Sequence, residues 1–190
     1  MATVDANTGK LTFKNKPSKA VITASFAGND QYEAASGSYT LTVEKGEATI
    51  AFDKTEATAT IGAENTFPTL ANSLNLSVTY TSSAPEVAKI SDAAKGTIEL
   101  LKAGEATITA KFAGNDAYAA KEVSYKLVVN WAKGDVNADG KVDQKDVDDV
   151  VAYIYGEKTS AGFDAKTADV NGDGKVNVAD VVKIVSITKH

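Results

Sequence analysis

A mainly β chain closed by a small all-α domain is the architecture expected from this sequence, on three grounds. Short, threonine-rich stretches alternating apolar and polar residues recur with a period of 86 residues over the first two-thirds. Two acidic loops of twelve residues, nearly identical, follow near the C-terminus, 34 residues apart. Each loop runs into a stripe of apolar residues at helical spacing.

The β repeat comes first in chain order. Residues 19–44 align without gaps to 105–130, and 15 of the 26 positions match. The matches include Phe26-Ala27-Gly28-Asn29-Asp30 against Phe112-Ala113-Gly114-Asn115-Asp116, and the pairs Tyr32/Tyr118, Tyr39/Tyr125, Leu41/Leu127 and Val43/Val129. Within each copy the alternation is that of half-buried strands: Ile22, Ala24 and Phe26, then Tyr39, Leu41 and Val43. Gly-Asn-Asp between them is turn chemistry, and the aromatics after it are expected to plug the end of a sandwich. A period of this length built from short strands points to an Ig-like sandwich.

The complete copy is assigned to residues 45–132. It contains Ser82-Ser83-Ala84-Pro85-Glu86-Val87-Ala88 and Ala103-Gly104-Glu105-Ala106-Thr107-Ile108-Thr109-Ala110. These stretches resemble the bacterial Ig-like family, which implies a β-sandwich and says little about a ligand, since such domains serve as spacers, stalks and adhesins. Residues 1–44 match only the second half of the repeat, from Val4-Asp5 and Gly9-Lys10-Leu11 onward. Half a sandwich exposes an inner face and open edges. The chain is therefore expected to be the C-terminal piece of a longer protein, with its start inside a repeat. Strands that complete another molecule's sheet, or a reduced domain, are the other readings.

The acidic loops carry the chemistry. The first is Asp135-Val136-Asn137-Ala138-Asp139-Gly140-Lys141-Val142-Asp143-Gln144-Lys145-Asp146, the second Asp169-Val170-Asn171-Gly172-Asp173-Gly174-Lys175-Val176-Asn177-Val178-Ala179-Asp180. With the following valine counted, nine of thirteen positions are identical. Oxygen-bearing side chains fall at positions 1, 3, 5, 9 and 12 with glycine at 6, the spacing of an EF-hand calcium loop. Calcium is a hard cation that takes six to eight oxygens at about 2.3–2.6 Å in a flexible shell. The ligands expected are Asp135, Asn137, Asp139, the carbonyl of Lys141, Asp143 and Asp146 for one ion. Asp169, Asn171, Asp173, the carbonyl of Lys175, Asn177 and Asp180 serve the other. Positions 143 and 177 commonly act through a water. Gly140 and Gly174 supply the sharp turn, and Val142 and Val176 face the core between the loops. Helices are expected after the loops from Val147, Val150, Val151 and Ile154, and from Val178, Val181, Val182 and Val185.

Aspartate stands at position 12 where an ordinary EF-hand has glutamate, and each loop is followed rather than preceded by a convincing helix. Two such loop–helix units over residues 133–190 resemble a dockerin. The resemblance implies two antiparallel units holding one calcium each, and docking onto a cohesin domain of another protein. It also implies that positions 10 and 11, here Gln144-Lys145 and Val178-Ala179, govern partner choice. Small hydroxyl residues are usual there, so this chain departs from the pattern, and its two halves differ from each other. The bland alternative makes Val178 a core residue and Gln144 and Lys145 a solvated first turn.

Composition narrows the function classes. Cysteine is absent, so no disulfide scaffold or thiol site is available. All twenty basic residues are lysine and the formal net charge is −5, which argues against nucleic acid as a partner. No stretch approaches the length of a membrane span. The single histidine is His190, so histidine-based triads and histidine-rich zinc sites have no material. Ten of the fifteen aspartates lie in 135–190, and seven of those belong to the two loops, which leaves little for a carboxylate-pair enzyme. The expectation is a non-catalytic, calcium-dependent assembly module of a secreted or cell-surface protein, carried on Ig-like spacers. Its partner is a cohesin domain. In the alternative, a structural or adhesive stalk, the tail packs on the adjacent Ig-like domain. A third reading, carbohydrate binding, needs a row of exposed aromatics on one face.

Overall fold

Period-two alternation builds the strands, and the burial of each strand depends on what covers it. A computed structural model describes residues 2–14 and 16–189; the expectations that fall on Met1 and His190 lie outside these. The chain divides into two compact units. One comprises residues 1–51, 71–78 and 111–122, the other 52–70, 79–110 and 123–190.

In the first unit, β1 (Ala2–Val4) and β2 (Leu11–Phe13) form an antiparallel hairpin. Its turn is held by the Asp5 carboxylate, which accepts from the backbone N–H of Thr8 at 2.8 Å and of Asn7 at 3.0 Å. These bonds and the Thr8 hydroxyl keep the Asp5 carboxyl below its ordinary range. Next, β3 (Ser18–Phe26) and β4 (Ala35–Val43) pair antiparallel from Ser18↔Val43 to Phe26↔Ala35 without a bulge. That register places Ala20, Ile22, Ala24 and Phe26 on one face with Tyr39, Leu41 and Val43.

The matched turns adopt matched geometry. Asn29 Oδ1 accepts from the N–H groups of Gln31 and Tyr32, and Asn115 Oδ1 from those of Ala117 and Tyr118. Gly28 and Gly114 before them take φ of 85° and 88°, and a Cβ at Gly114 would meet the Ala120 nitrogen at 3.0 Å. The expected plugging aromatics differ from each other. Tyr118 is half-buried with Gly46 against its ring, whereas Tyr32 is exposed.

The remaining strands are β5 (Ile50–Phe52), β6 (Glu56–Thr60), β7 (Leu70–Asn72), β8 (Val78–Ser82), β9 (Ala88–Asp92), β10 (Thr97–Leu100), β11 (Gly104–Phe112) and β12 (Lys121–Asn130). A four-stranded sheet has the order β6-β12-β11-β8, with β6 parallel to β12 from Glu56↔Lys126 to Thr60↔Asn130. β9 and β10 form an antiparallel pair, and β5 pairs with β7. In the second unit Ala59, Val87, Ala88, Ala106, Ile108, Tyr125, Leu127 and Val129 make the core. Phe52 meets Tyr125 edge-on at 4.8 Å, and burial pushes the Tyr125 hydroxyl up to about 12. Tyr80 also stands close to Phe52, so these three aromatics pack on one another rather than forming an exposed row. The fold is the expected Ig-like β-structure followed by a small helical domain.

The helical part holds α1 (Gln144–Tyr155), α2 (Ala165–Ala168) and α3 (Val178–Ile187). Val136, Val147, Val150, Ala168, Val170 and Ile184 are its buried centre. The valine stripe expected along the last helix is corrected in part. Val181 and Val185 pack inward beside Ile184, while Val178 and Val182 turn outward, at 65% and 64% exposure. The helix phase is set by Ile184, which the stripe omitted.

The two copies of the β repeat predict contrasting responses to one substitution. Leu127 is fully buried, so Leu127→Ala is expected to cost about 2–5 kcal/mol. Leu41→Ala, at the matching half-buried position, is expected to cost at most about 1 kcal/mol. Denaturant unfolding of the two variants checks the difference, and equal losses would contradict it.

Candidate metal centre

Each acidic loop is tied into a coil by its own side chains, and the two ties match position by position. In loop one the N–H of Asp139 donates to Asn137 Oδ1 at 3.0 Å, and that of Lys141 to Asp139 Oδ1 at 3.0 Å. The N–H of Gly140 donates to Asp135 Oδ2 at 3.0 Å. In loop two Asp173 donates to Asn171 at 2.7 Å, Lys175 to Asp173 at 2.9 Å, and Gly174 to Asp169 at 2.9 Å. The sixth positions, Gly140 and Gly174, are left-handed at φ 88° and 82°. The fourth positions, Ala138 and Gly172, are left-handed too, at 62° and 78°. That second turn escaped the sequence reading because alanine does not advertise it.

The end of each loop is also the start of a helix. Asp143 and Asn177, at position 9, are the N-caps of α1 and α3 and accept from the N–H groups of Lys145 and Ala179. Asp146 and Asp180, at position 12, reach back to the N–H of Asp143 at 2.8 Å and of Asn177 at 3.0 Å. Position 12 is thus the third residue of the helix and closes a capping box. Val142 with Val147, and Val176 with Val181, stand where a hydrophobic staple would, and all four join the helical core. Asp146 makes a third tie, accepting from the N–H of Val136 at 2.8 Å at the opposite end of the loop.

These ties bury charge. Asp135, Asp146 and Asp180 are at most 1% exposed, and no lysine among the described residues lies within ion-pair distance of them. Burial pushes the Asp135 carboxyl above its ordinary range; the charge of Asp146 adds to this, and the N–H groups of Gly140 and Asp139 oppose it. Asp169 differs. Burial works upward there too, but the N–H groups of Gly174, Gly172 and Asp173, with the Lys133 ammonium, bring it below the usual value.

Such a donor set suits a hard divalent cation. A carboxylate has about four lone-pair sites, so an oxygen that accepts from the loop N–H groups keeps capacity for a metal. Among the described residues no three acidic or histidine side chains form a ready-made cage. The loops offer instead a mixture of carboxylate, amide and main-chain oxygens around unneutralised buried carboxylates, as calcium prefers. All twelve expected ligands lie in these two coils, and Asp135 and Asp169 are held by equivalent N–H groups.

The linker between the helices buttresses loop one. Asp164 caps α2 and its N–H donates to the Val136 carbonyl at 2.9 Å, while the Gly134 N–H donates to Thr167 at 3.0 Å. Asp149 of α1 holds the Ser160 N–H at 2.7 Å. Within this unit the turn of loop one also approaches the end of β6, where a Cβ on Gly140 would lie 3.9 Å from Ile61 Cγ2. Gln144, Lys145, Val178 and Ala179, the expected partner contacts, are all exposed. Val178 is therefore no core residue.

Two coiled oxygen-rich loops, each capping its own helix, define a paired loop–helix module. Comparison with known families says which: residues 133–185 match the dockerin type I domain, and residues 40–123 match the bacterial Ig-like domain (group 2). The chain carries a dockerin type I domain preceded by a bacterial Ig-like domain. Both are non-catalytic module families, dockerin type I domains bind calcium, and dockerin modules occur in extracellular or cell-surface proteins. Among solved structures, a chain in the crystal structure of a CaDoc0917 variant in complex with CaCohA2 at pH 5.5 is 37% identical. The match covers 30% of this chain and 93% of that one, with a TM-score of 0.28. No curated protein matches. No helix among the described residues is long and apolar enough to cross a membrane.

Gly162 supplies a test of the buttress. A Cβ there would collide with the Asn137 carbonyl of loop one. Gly162→Ala is expected to destabilise the helical module by about 1–3 kcal/mol through overpacking. Thermal unfolding followed at the helix signal measures it, and an unchanged midpoint would show that the linker does not support the loop.

Proposed function

We propose that residues 133–190 are a calcium-folded docking module that attaches a larger secreted or cell-surface protein to a cohesin-type partner, with residues 45–132 as spacer. Two ions are bound. One is held by Asp135, Asn137, Asp139, the Lys141 carbonyl, Asp143 and Asp146, the other by Asp169, Asn171, Asp173, the Lys175 carbonyl, Asn177 and Asp180. The observation that carries this reading is the matched pair of coils around Asp135, Asp146 and Asp180, which are buried with no ammonium partner among the described residues. Calcium supplies the missing positive charge. The residues themselves hold the loop ends together and start both helices.

The docking face is the outer side of α3. Val178 and Val182 lie four residues apart on one exposed helix face, where the matching positions of α1 are Gln144 and Asp148. The Gln144 amide donates to Asp148 at 2.9 Å, so that face is polar and self-satisfied. An apolar pair left in solvent is a site for a partner rather than for the core. The two halves therefore do not offer equivalent surfaces, and α3 leads the contact. The packing of the Gly140 turn beside Ile61 favours a role for the Ig-like neighbour in steadying the module, yet it leaves Gln144, Lys145, Val178 and Ala179 uncovered.

The test is calcium-dependent binding to an immobilised cohesin panel. Val182→Asp is expected to weaken capture at least about tenfold, roughly the loss of one buried apolar side chain, with calcium binding unchanged. Gln144→Ala is expected to change capture less than about threefold. Capture that persists in chelator, or is indifferent to Val182→Asp, would overturn the docking reading.

A further inference from the structure

We propose that Lys133 is a tethered cation that competes with calcium for the second acidic loop. The first loop then fills at lower calcium, and the second only as the Lys133 ammonium is displaced. This rests on the calcium reading of the loops and makes the two sites unequal.

Lys133 belongs to the segment that enters loop one, yet its ammonium lies beside loop two. Its Nζ is 3.9 Å from where a Cβ on Gly172 would stand, at the fourth position of that loop. The root of the side chain is fixed. The N–H of the next residue, Gly134, donates to the Thr167 carbonyl at 3.0 Å, two residues ahead of Asp169. Gly134 is buried and left-handed at φ 96°, and a Cβ there would meet Val142 Cγ1 at 3.0 Å. A flexible four-carbon stem on a fixed root lets the charge approach the loop and leave it. At Asp169 burial works upward, and the loop N–H groups together with this ammonium outweigh it.

The two halves of the module do not share this device. With the offset of 34 residues, Lys133 corresponds to Thr167, whose hydroxyl donates to the Asp164 carbonyl at 3.0 Å. The matching position therefore carries no charge. Loop one meets a different ammonium, that of Lys145, 3.9 Å from Asp139 Oδ2 and largely exposed on its own helix. Position 7 is lysine in both loops and does not separate them.

Charge and rigidity both favour loop one. Its expected ligands include four carboxylates, Asp135, Asp139, Asp143 and Asp146. Those of loop two include three, Asp169, Asp173 and Asp180, with Asn177 at position 9. With one ammonium set against each loop, three carboxylate charges remain for an ion in the first and two in the second. Asp135 is 1% exposed, and loop one is braced where the Asp164 N–H meets the Val136 carbonyl. Asp169 is only half-buried, and residues 172–175 of loop two are exposed. Ligand charge and site rigidity are what tune calcium affinity in loops of this kind. A unit charge several ångströms from a divalent ion, at the dielectric of water, changes its affinity about three- to tenfold.

The experiment titrates calcium into the chelated 190-residue chain at low ionic strength, where exposed charges are least screened. The amide signals of Gly140 and Gly174 are followed separately; these N–H groups donate to Asp135 and Asp169, so each reports on its own loop. Gly140 is expected to titrate first. In Lys133→Gln the Gly174 midpoint is expected to fall about three- to tenfold, with that of Gly140 changed less than about twofold. Lys133→Arg keeps the charge and is expected to leave both midpoints near their original values. A Gly174 midpoint that stays or rises in Lys133→Gln would overturn the proposal, a rise showing that Lys133 organises the loop for the ion. Gly174 titrating ahead of Gly140 in the unsubstituted chain would overturn it too, as would equal shifts at both glycines, which mark an effect on the fold. No response to calcium at either glycine would instead sink the calcium reading of the loops, and the competition with it.

Discussion

Asp146 and Asp180 are the residues on which the helical module turns. Each is fully buried, closes a capping box at the start of its helix, and accepts an N–H from the far end of its loop. A carboxylate in that place is favourable for the helix, because it satisfies orphan donors and lies at the positive end of the helix dipole. It is costly for the fold as a whole, because charge without a partner is expensive to bury. Asp135 beside Asp146 compounds the cost, and its raised pKa is the local sign of it. In the proposed function a cation in the loop would resolve the conflict, making loop closure, helix initiation and metal binding one event.

The β part solves a different problem with the same alternation. Inward residues of β11 and β12 are buried because strands lie over them and beside them. The matching residues of β3 and β4 carry the same pattern but are half-buried or exposed. Sequence periodicity specifies which face is apolar; burial is a property of the neighbours. β3 and β4 pair in a bulge-free register in a sheet of two strands.

Much of this was legible in the residues. The glycines at position 6 are left-handed and the Gly-Asn-Asp turns close as expected, while the side-chain oxygens at 1, 3, 5, 9 and 12 lie in the two coils and accept backbone N–H groups there. The phase of α3 was less legible, since five apolar residues between 178 and 185 fit more than one stripe and only packing selects Ile184. The left-handed Ala138, the capped turn of α2 and the tether of Asp149 to Ser160 were invisible. They depend on contacts between segments that no local pattern encodes.

The most direct test of the central claim is calorimetric titration of calcium into the chelated 190-residue chain, with circular dichroism recorded at each step. The account predicts two ions bound and a gain of helix that rises with them. Helices already complete in excess chelator, or no calcium uptake, would contradict it: the buried carboxylates would then be tolerated without a cation, and the loops would be acidic turns.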